Sequence, residues 1–213
     1  MGLLDTLLGR SKPVKANLDR LFALPAAAIT LEASEQLVPT GQAGVCFKPA
    51  AGSDFANAES EIAQLLALDG AGSPAPGGDT PPASVRAALS EHADEYGYRW
   101  IVLEAADFDT LVTRAHFVNS TLDEHGWSSL LLCSVFGFGP MPAGSEHGAV
   151  ASGPASTYLV YLYKQGSFYP FVPLAGERRD NEAELRLKAE LKGDLAIEPD
   201  LDRWFPLWKL PLR

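Results

Sequence analysis

The sequence has few of the residues from which metal-binding and reactive sites are most often built. Among its 213 residues are two cysteines and four histidines. No two histidines are four residues apart, and none stands near a cysteine at the spacing of a zinc site. A Walker-type phosphate loop, a Gly-x-Ser-x-Gly elbow and a specific paired-carboxylate motif are also lacking. The sequence therefore predicts no metal site, no cofactor and no catalytic residue.

Long hydrophobic runs and an excess of basic charge are lacking too. No apolar run approaches the roughly 20 residues of a transmembrane helix, and the one at the start is too short for a signal peptide. The chain has 27 acidic and 17 basic residues, a net charge of -10, which argues against nucleic-acid binding. Its hydrophobic content of 46% is that of a globular protein. We expect a cytoplasmic protein, in peripheral contact at most with the inner face of the cell membrane.

The two cysteines lie in apolar segments that resemble strands, GVCFK around Cys46 and LLLCSVF around Cys133. A disulfide between them is possible, but buried, reduced thiols are favoured in a chain with so few cysteines. The sharpest enzymatic alternative is a small thiol-dependent enzyme with Cys133 as nucleophile and His116 as base. Burial in a central strand would desolvate the thiol and disfavour its reactive thiolate form, which argues against this alternative.

The first 12 residues form a leader that combines leucines with basic residues. Its leucines fall at helical spacing on one face; the contact residues predicted here are Leu3, Leu4, Leu7, Leu8, Arg10 and Lys12. A basic, leucine-containing N-terminal segment on an otherwise acidic protein is typical of a segment that binds an anionic membrane or a groove in a partner protein. Because ordering so short a segment is costly, we expect weak, reversible binding. A fixed helix of the core is the alternative.

The C-terminal stretch EPDLDRWFPLWKLPLR is the second candidate contact region. It places Trp204, Phe205 and Trp208 beside Arg203 and Lys209. Aromatic residues with a basic fringe are favoured at protein interfaces and at the headgroup level of bilayers. Packing of this tail back onto the domain is equally compatible with the sequence.

The first half predicts helices, a hairpin and a spacer. KANLDRLFAL indicates a helix that ends at Pro25. AITLEASEQLVP and AGVCFKP indicate two strands joined around Pro39-Thr40-Gly41. A helix over 53–68 follows, and then the Gly/Pro-rich spacer 69–84, which has no large apolar residue to order it. SVRAALSEHADEYG predicts a short acidic helix.

The second half alternates strands and helices more clearly. YRWIVLEA predicts a strand, 107–125 a helix, and WSSLLLCSVFGF a central strand, since it is apolar on both faces. TYLVYLYKQGSFYPFVPL predicts a hairpin that turns at Gln165-Gly166. NEAELRLKAELK predicts the last helix, with Glu182–Arg186 and Glu184–Lys188 as solvent-facing pairs.

This order of elements predicts an α+β fold, in which helices cover one face of a largely antiparallel sheet. Two domain arrangements are open. The spacer 69–84 could separate an N-terminal lobe, residues 13–68, from a main lobe, residues 85–213. Alternatively, residues 13–213 form one continuous domain and the spacer is a surface loop.

Two polar residues have predicted structural roles. Asn119 falls on the same helical face as Ala115 and Leu122, so its amide is either buried, fixing how two elements dock, or partly exposed. Asp180 is placed to cap the last helix. The adjacent Arg178-Arg179 pair lies beside a helix N-terminus, where positive charge is unfavourable, and ion pairing within the chain is the expected compensation.

Several long stretches, in the same order, resemble the PspA-associated protein PspAB family of phage-shock type envelope-stress systems. The resemblance covers nearly the whole chain, except the spacer and the segment 140–156. It is carried by MGLLDTLLGRSKPVKANLDRLF, HFVNSTLDEHGW, YLVYLYKQGSFYPFVPL, RRDNEAEL and EPDLDRWFPLW.

This resemblance implies a non-catalytic accessory or adaptor protein associated with PspA, a membrane-remodelling stress protein. An HtpX-type membrane protease is a second partner that it implies. It carries no established catalytic residues onto this chain. A weaker likeness, to secretion-chaperone and YbjN-type α+β folds, rests on the predicted topology and favours a protein-binding module.

Overall fold

The structure is a computed structural model that describes residues 17–50, 52–70, 89–93, 97–141 and 156–212. Predictions for the leader therefore lie outside the described residues. The same holds for nearly all of the spacer 69–84 and for the segment 142–155.

A six-stranded sheet with strand order β2-β3-β1-β4-β5-β6 forms the centre of the fold, and all neighbouring strands are antiparallel. Its strands are β1 Leu37–Phe47, β2 Leu89–Ala93, β3 Arg99–Glu104, β4 Leu131–Pro140, β5 Thr157–Leu162 and β6 Ser167–Phe171. A separate two-stranded ribbon is formed by β7 Pro173–Leu174 and β8 Arg178–Arg179.

The helices pack on one face of this sheet, which we call the first face; the opposite side is the second face. The predicted α+β class is thus confirmed. They are α1 Leu24–Glu35, α2 Ser53–Gly70, α3 Phe108–Glu124 and α4 Asn181–Leu191. Short 3-10 segments lie at Leu18–Ala23, Ser128–Leu130 and Leu201–Arg203. Leu111, Val112 and Leu122 of α3 are buried in the same core as Leu131 and Tyr161 of the sheet, as predicted.

Strand β1 lies in the middle of the sheet although it comes from the N-terminal part of the chain. It pairs with β3 on one side and with β4 on the other. Residues on both sides of the spacer, such as Leu31 and Leu159, belong to one hydrophobic core. Segments before and after the spacer therefore contribute to the same core.

The predicted strand AITLEASEQLVP is wrong, because most of it belongs to helix α1. Pro25 begins this helix instead of ending the preceding one: in the first turn, its missing N–H has no helical partner to lose. Leu24, Ala27 and Leu31 form the buried face. The helix ends at Glu35, and the following C-cap residue, Gln36, has a left-handed φ of 56°.

The predicted hairpin at Pro39-Thr40-Gly41 is also wrong, because β1 continues through these residues with a bulge. Its register against β4 shifts between Pro39 and Ala43. Gly41 adopts a φ of 78°, and a Cβ there would lie 2.8 Å from the Ala105 carbonyl oxygen. Only glycine fits this close approach without strain.

The acidic helix predicted around SVRAALSEHADEYG is wrong where the structure describes it. Residues Leu89–Ala93 form strand β2 at the edge of the sheet and pair with β3. Pairing with an existing strand overrides weak local helix propensity, so the local sequence did not decide this element.

The two structural polar residues occupy defined positions at helices α3 and α4. Asn119 is 1% exposed and donates to the Ala115 carbonyl at 2.7 Å and to the Ser134 hydroxyl at 2.8 Å. The Asp180 carboxylate accepts the Ala183 backbone N–H at 3.0 Å, which caps α4. Of the alternatives for Asn119, the structure therefore shows the buried one.

Candidate functional site

The second face of the sheet is covered by the C-terminal tail, residues 204–212. Trp204 and Leu212 are buried here, and Trp208 is partly buried beside them. On the sheet side, five adjacent strands contribute one or more side chains each, among them Cys46, Trp100, Cys133, Val160 and Tyr169. A second hydrophobic core therefore lies between the sheet and the tail.

A buried carboxylate fixes the segment that leads into this tail. Glu198 is 2% exposed, and it accepts the Ser167 hydroxyl at 2.5 Å and the Asp200 backbone N–H at 3.2 Å. Its own backbone N–H donates to the Phe168 carbonyl of β6 at 2.7 Å. The Arg203 guanidinium lies 3.6 Å from the carboxylate. These partners compensate for the cost of burying its charge.

A second buried carboxylate joins helix α4 to the sheet and the tail. Glu184 is 2% exposed, accepts the Val172 backbone N–H at 2.9 Å and forms an ion pair with Arg179 at 2.8 Å. The Arg179 guanidinium also donates to the Trp204 carbonyl. Pairing of Arg179 within the chain is thus confirmed. The prediction of a solvent-facing Glu184–Lys188 pair is wrong, because the Glu184 side chain is buried in the protein.

Tyr169 of strand β6 contacts the tail and stabilises its position on the sheet. Its hydroxyl donates to the Phe205 carbonyl at 2.8 Å, and its ring stacks on Trp204 with 5.8 Å between centroids. Burial raises the pKa of the Tyr169 phenol well above its ordinary value. The phenol therefore stays neutral and keeps its donor at physiological pH.

A pocket of about 990 Å³ opens between the tail and the sheet. This volume is at the upper end of the roughly 300–1,000 Å³ found for small-molecule sites. The lining is mainly apolar and includes Trp100, Cys133, Leu162, Tyr169, Leu207 and Trp208. The pocket is thus suited to an apolar guest rather than to one that needs many hydrogen bonds.

The charge around this pocket is opposite in sign to that of the whole chain. Lys164, Lys209 and His92 are among its lining residues, and no Asp or Glu is found among those lining residues that the structure describes. The chain as a whole has ten more acidic than basic residues. The pocket therefore provides a locally positive surface on an acidic protein.

Cys46 and Cys133 lie directly opposite each other on β1 and β4 and both line the pocket. They are 3% and 6% exposed, and the structure holds both as thiols, as expected. Residues directly opposite in antiparallel strands have Cα atoms about 4.5–5.5 Å apart, within the range that a disulfide spans.

The structure does not bring Cys133 and His116 together. His116 lies on α3, on the first face of the sheet, where its ring packs on Phe22 and its Nε2 is 3.6 Å from an Asp19 carboxylate oxygen. Cys133 belongs to the core on the second face. The sheet separates the two, so the predicted nucleophile–base pair is wrong.

Comparison with known proteins decides the family. A family model described as PspA associated protein B (PspAB) matches residues 1–212. The chain belongs to the PspAB family. No curated protein and no solved structure matches it, so the likeness to secretion-chaperone and YbjN-type folds stays a prediction. Membership confirms the resemblance seen in the sequence and supports a role in phage-shock type stress responses.

Membrane-spanning helices and clusters of metal ligands are both lacking from the described part of this PspAB-family chain. In the ranges that the structure describes, no helix is both long and apolar enough to cross a membrane. Within those same ranges, no three His, Cys, Asp or Glu side chains are grouped as metal ligands.

The three aromatic residues predicted as contacts of the tail differ in exposure. Trp204 is 4% exposed, and its indole N–H donates to the Glu198 carbonyl at 3.1 Å. It is therefore part of the core, which corrects its predicted role as a surface contact. Trp208 is partly buried and packs on Phe171. Phe205 is 56% exposed and lines the pocket.

The first described residues of the chain contact strand β5 and the turn that follows it. The Tyr161 hydroxyl donates to the Asn17 carbonyl at 2.8 Å, and the Arg20 guanidinium donates to the Gly166 carbonyl. The same turn between β5 and β6 contributes Lys164 and Gln165 to the pocket lining. In this PspAB-family chain, the first described residue is therefore fixed to strand β5, and Arg20 is fixed to the turn that contributes to the pocket lining.

Sequence reasoning did not find the pocket or the buried carboxylates. The pairing of Cys46 with Cys133 depends on strand register, which their local sequences do not determine. Glu184 and Glu198 look like ordinary surface acids in the sequence. The signal for the covered second face was present in WSSLLLCSVFGF, since a strand that is apolar on both faces needs a cover on each.

Proposed function

We propose that this chain is a non-catalytic accessory protein of a PspA-type envelope-stress response. It binds PspA at the inner face of the cell membrane and touches that membrane through its leader. The match to the PspA associated protein B family over residues 1–212 supports the association with PspA. An HtpX-type membrane protease is a second partner in this proposal.

The attachment point of the leader is the observation that carries the membrane part of the proposal. Asn17 is fixed to Tyr161 of strand β5, and Arg20 is fixed to Gly166 in the turn between β5 and β6, which also provides Lys164. Arg10 and Lys12 of the leader precede Asn17 by seven and five residues in the sequence. Basic residues near an anionic surface contribute about 1 kcal/mol each, so these charges would add to the weak binding of the leader leucines.

Exposed aromatic side chains extend the surface available to a partner. Phe22 is 50% exposed and follows closely on the leader, and Phe205 is 56% exposed beside the pocket. Aromatic side chains are enriched where proteins bind one another. We propose Phe22, Phe205 and Trp208, together with the leader leucines, as the contact residues.

Affinity capture from cells under envelope stress tests the association. The tagged full chain should recover PspA. Leu7→Ser with Leu8→Ser should recover several-fold less, because it removes half of the leucine face. Asp5→Ser with Thr6→Ser changes the polar face of the same leader and is the matched control. Failure of the full chain to recover PspA would contradict the proposal, and the same eluate reports on an HtpX-type protease.

Sedimentation with anionic vesicles tests the membrane contact separately. At low salt, the full chain should sediment with the vesicles more than a chain that starts at Val14. The difference should shrink at high salt, because the basic residues of the leader act through screened charge. Equal partitioning of the two chains would contradict the proposed contact between the leader and the membrane. The association with PspA is tested separately by the affinity capture.

A further inference from the structure

We infer that the pocket between the sheet and the C-terminal tail is a binding site for a long-chain fatty acid anion. The site goes beyond the association with PspA and does not depend on it. Three properties of the pocket point to this ligand: its size, its apolar walls and the sign of the charge around it.

The walls of the pocket suit a flexible hydrocarbon chain. Trp100 and Leu162 contribute apolar surface from the sheet, and Leu207 and Trp208 contribute it from the tail. The hydroxyl of Tyr169 already donates to the Phe205 carbonyl and is used within the fold. A sugar or nucleotide would require a convergent set of polar groups, whereas an acyl chain requires only apolar walls.

The volume suits a long chain rather than a small solute. The pocket volume of about 990 Å³ is at the upper end of the range for small-molecule sites, and Phe205 and Lys164 are among its lining residues. Because each buried methylene contributes separately to affinity, a longer acyl chain should bind more tightly in a pocket of this size.

The charged lining residues specify an anionic head group. Lys164 is exposed and lies on the turn between β5 and β6, and Lys209 and His92 are further cationic or protonatable lining residues. Among the described residues of the lining, none is Asp or Glu. The positive charge of Lys164 favours an anionic amphiphile over a cationic one at the pocket, although the acidic chain as a whole attracts cations. The charge also argues against the leader as the occupant, since the leader is itself basic.

Calorimetric titration of the full chain with fatty acids below their micelle concentration tests the site. Octanoate, decanoate and dodecanoate keep the head group constant, and affinity should rise by up to about fourfold for each added buried methylene. Dodecyltrimethylammonium keeps the chain length constant and reverses the charge, so it should bind more weakly than dodecanoate. Affinity that is independent of chain length, or equal affinity for the two head groups, would overturn the proposal.

Variants locate the binding in the pocket. Lys164→Glu should weaken dodecanoate binding about threefold or more, because it replaces an attractive charge by a repulsive one. Lys192→Glu makes the same charge change at an exposed position outside the lining and should leave binding unchanged. Leu207→Trp narrows the pocket from the partly buried tail and should weaken the longest fatty acid most. Equal weakening by Lys164→Glu and Lys192→Glu would show that only net charge matters and would contradict the site.

A chain that starts at Val14 separates this ligand from competing occupants. It should bind dodecanoate as the full chain does, even if it no longer recovers PspA from cells. Markedly tighter binding by the shortened chain would mean that the leader occupies the pocket and would overturn the proposal. Saturable binding of a lysophospholipid without binding of dodecanoate would likewise contradict the fatty acid as ligand.

Discussion

The Asn119 amide of helix α3 donates a 2.8 Å hydrogen bond to the Ser134 hydroxyl of strand β4, and both side chains are buried. The same amide nitrogen donates to the Ala115 carbonyl one turn earlier in the helix, at 2.7 Å. Ser134 faces the helices because its neighbours Cys133 and Val135 face the tail. A single polar contact thus fixes the rotation and height of α3 against the central strand.

Asn119→Ala should destabilise the protein by about 1–3 kcal/mol, because it leaves a buried hydroxyl without its partner. Ser134→Ala should cost less, since the Asn119 amide keeps its bond to Ala115. Urea unfolding of both single variants and of the double variant gives the coupling energy directly. Purely additive effects would contradict a direct interaction between the two side chains.

Leu131→Ala should lower the free energy of unfolding by about 2–5 kcal/mol, because it creates a cavity beneath the helices. Leu131 is 1% exposed and belongs to the larger core. Leu185→Ala is the matched control, since Leu185 is 50% exposed on helix α4. Thermal melting compares the two, and a near-wild-type melting temperature for Leu131→Ala would count against this core.

Tyr161 makes stability depend on alkaline pH. Burial raises its pKa to about 12 from the ordinary 10.0. Above pH 10 the unfolded chain loses this proton while the folded chain keeps it, so the free energy of unfolding falls as the pH rises from 10 toward 12. Tyr161→Phe has no such proton and should show a shallower fall in urea unfolding across this window. Tyr163 and Tyr169 remain in both proteins, so the difference between the two pH profiles of unfolding free energy reports on Tyr161. Parallel profiles would contradict the predicted contribution of Tyr161.

Glu198→Ala should loosen the C-terminal tail, because it removes the acceptor of the Ser167 hydroxyl and of the Asp200 backbone N–H. The expected loss is about 1–3 kcal/mol of stability, together with faster proteolysis of the tail. Glu190→Ala removes an exposed carboxylate from helix α4 and is the matched control. Identical digestion patterns for the two variants would show that Glu198 does not anchor the tail.

The second half of the fold could be predicted well because its elements combine two independent signals. Helix α3 has an apolar face together with the Asp107 cap, whose carboxylate accepts the Thr110 backbone N–H at 2.8 Å. Strands β5 and β6 have alternating aromatic residues around a turn at Gly166, whose φ is 63°. Where periodicity and capping or turn chemistry agree, tertiary packing has little to override.

The first half could not be predicted from local patterns. The segment of α1 is rich in Ala and Leu, which suit a helix as well as a buried strand, and Pro25 is compatible with the start or the end of a helix. Strand β2 forms because it can pair with the edge of strand β3, a contact between separate segments of the chain. The pocket likewise results from the return of residues 204–212 across the sheet, a contact that no local pattern encodes.

Reconstitution with purified components tests the central claim most directly, namely that this chain binds PspA at an anionic membrane. The measurement is co-sedimentation of the full chain with anionic vesicles that carry saturating purified PspA, compared with the same vesicles without PspA. We expect sedimentation to increase when PspA is present, and to increase less for the Leu7→Ser, Leu8→Ser variant than for the Asp5→Ser, Thr6→Ser control. An equal amount of chain in the pellet with and without PspA would contradict the proposed function.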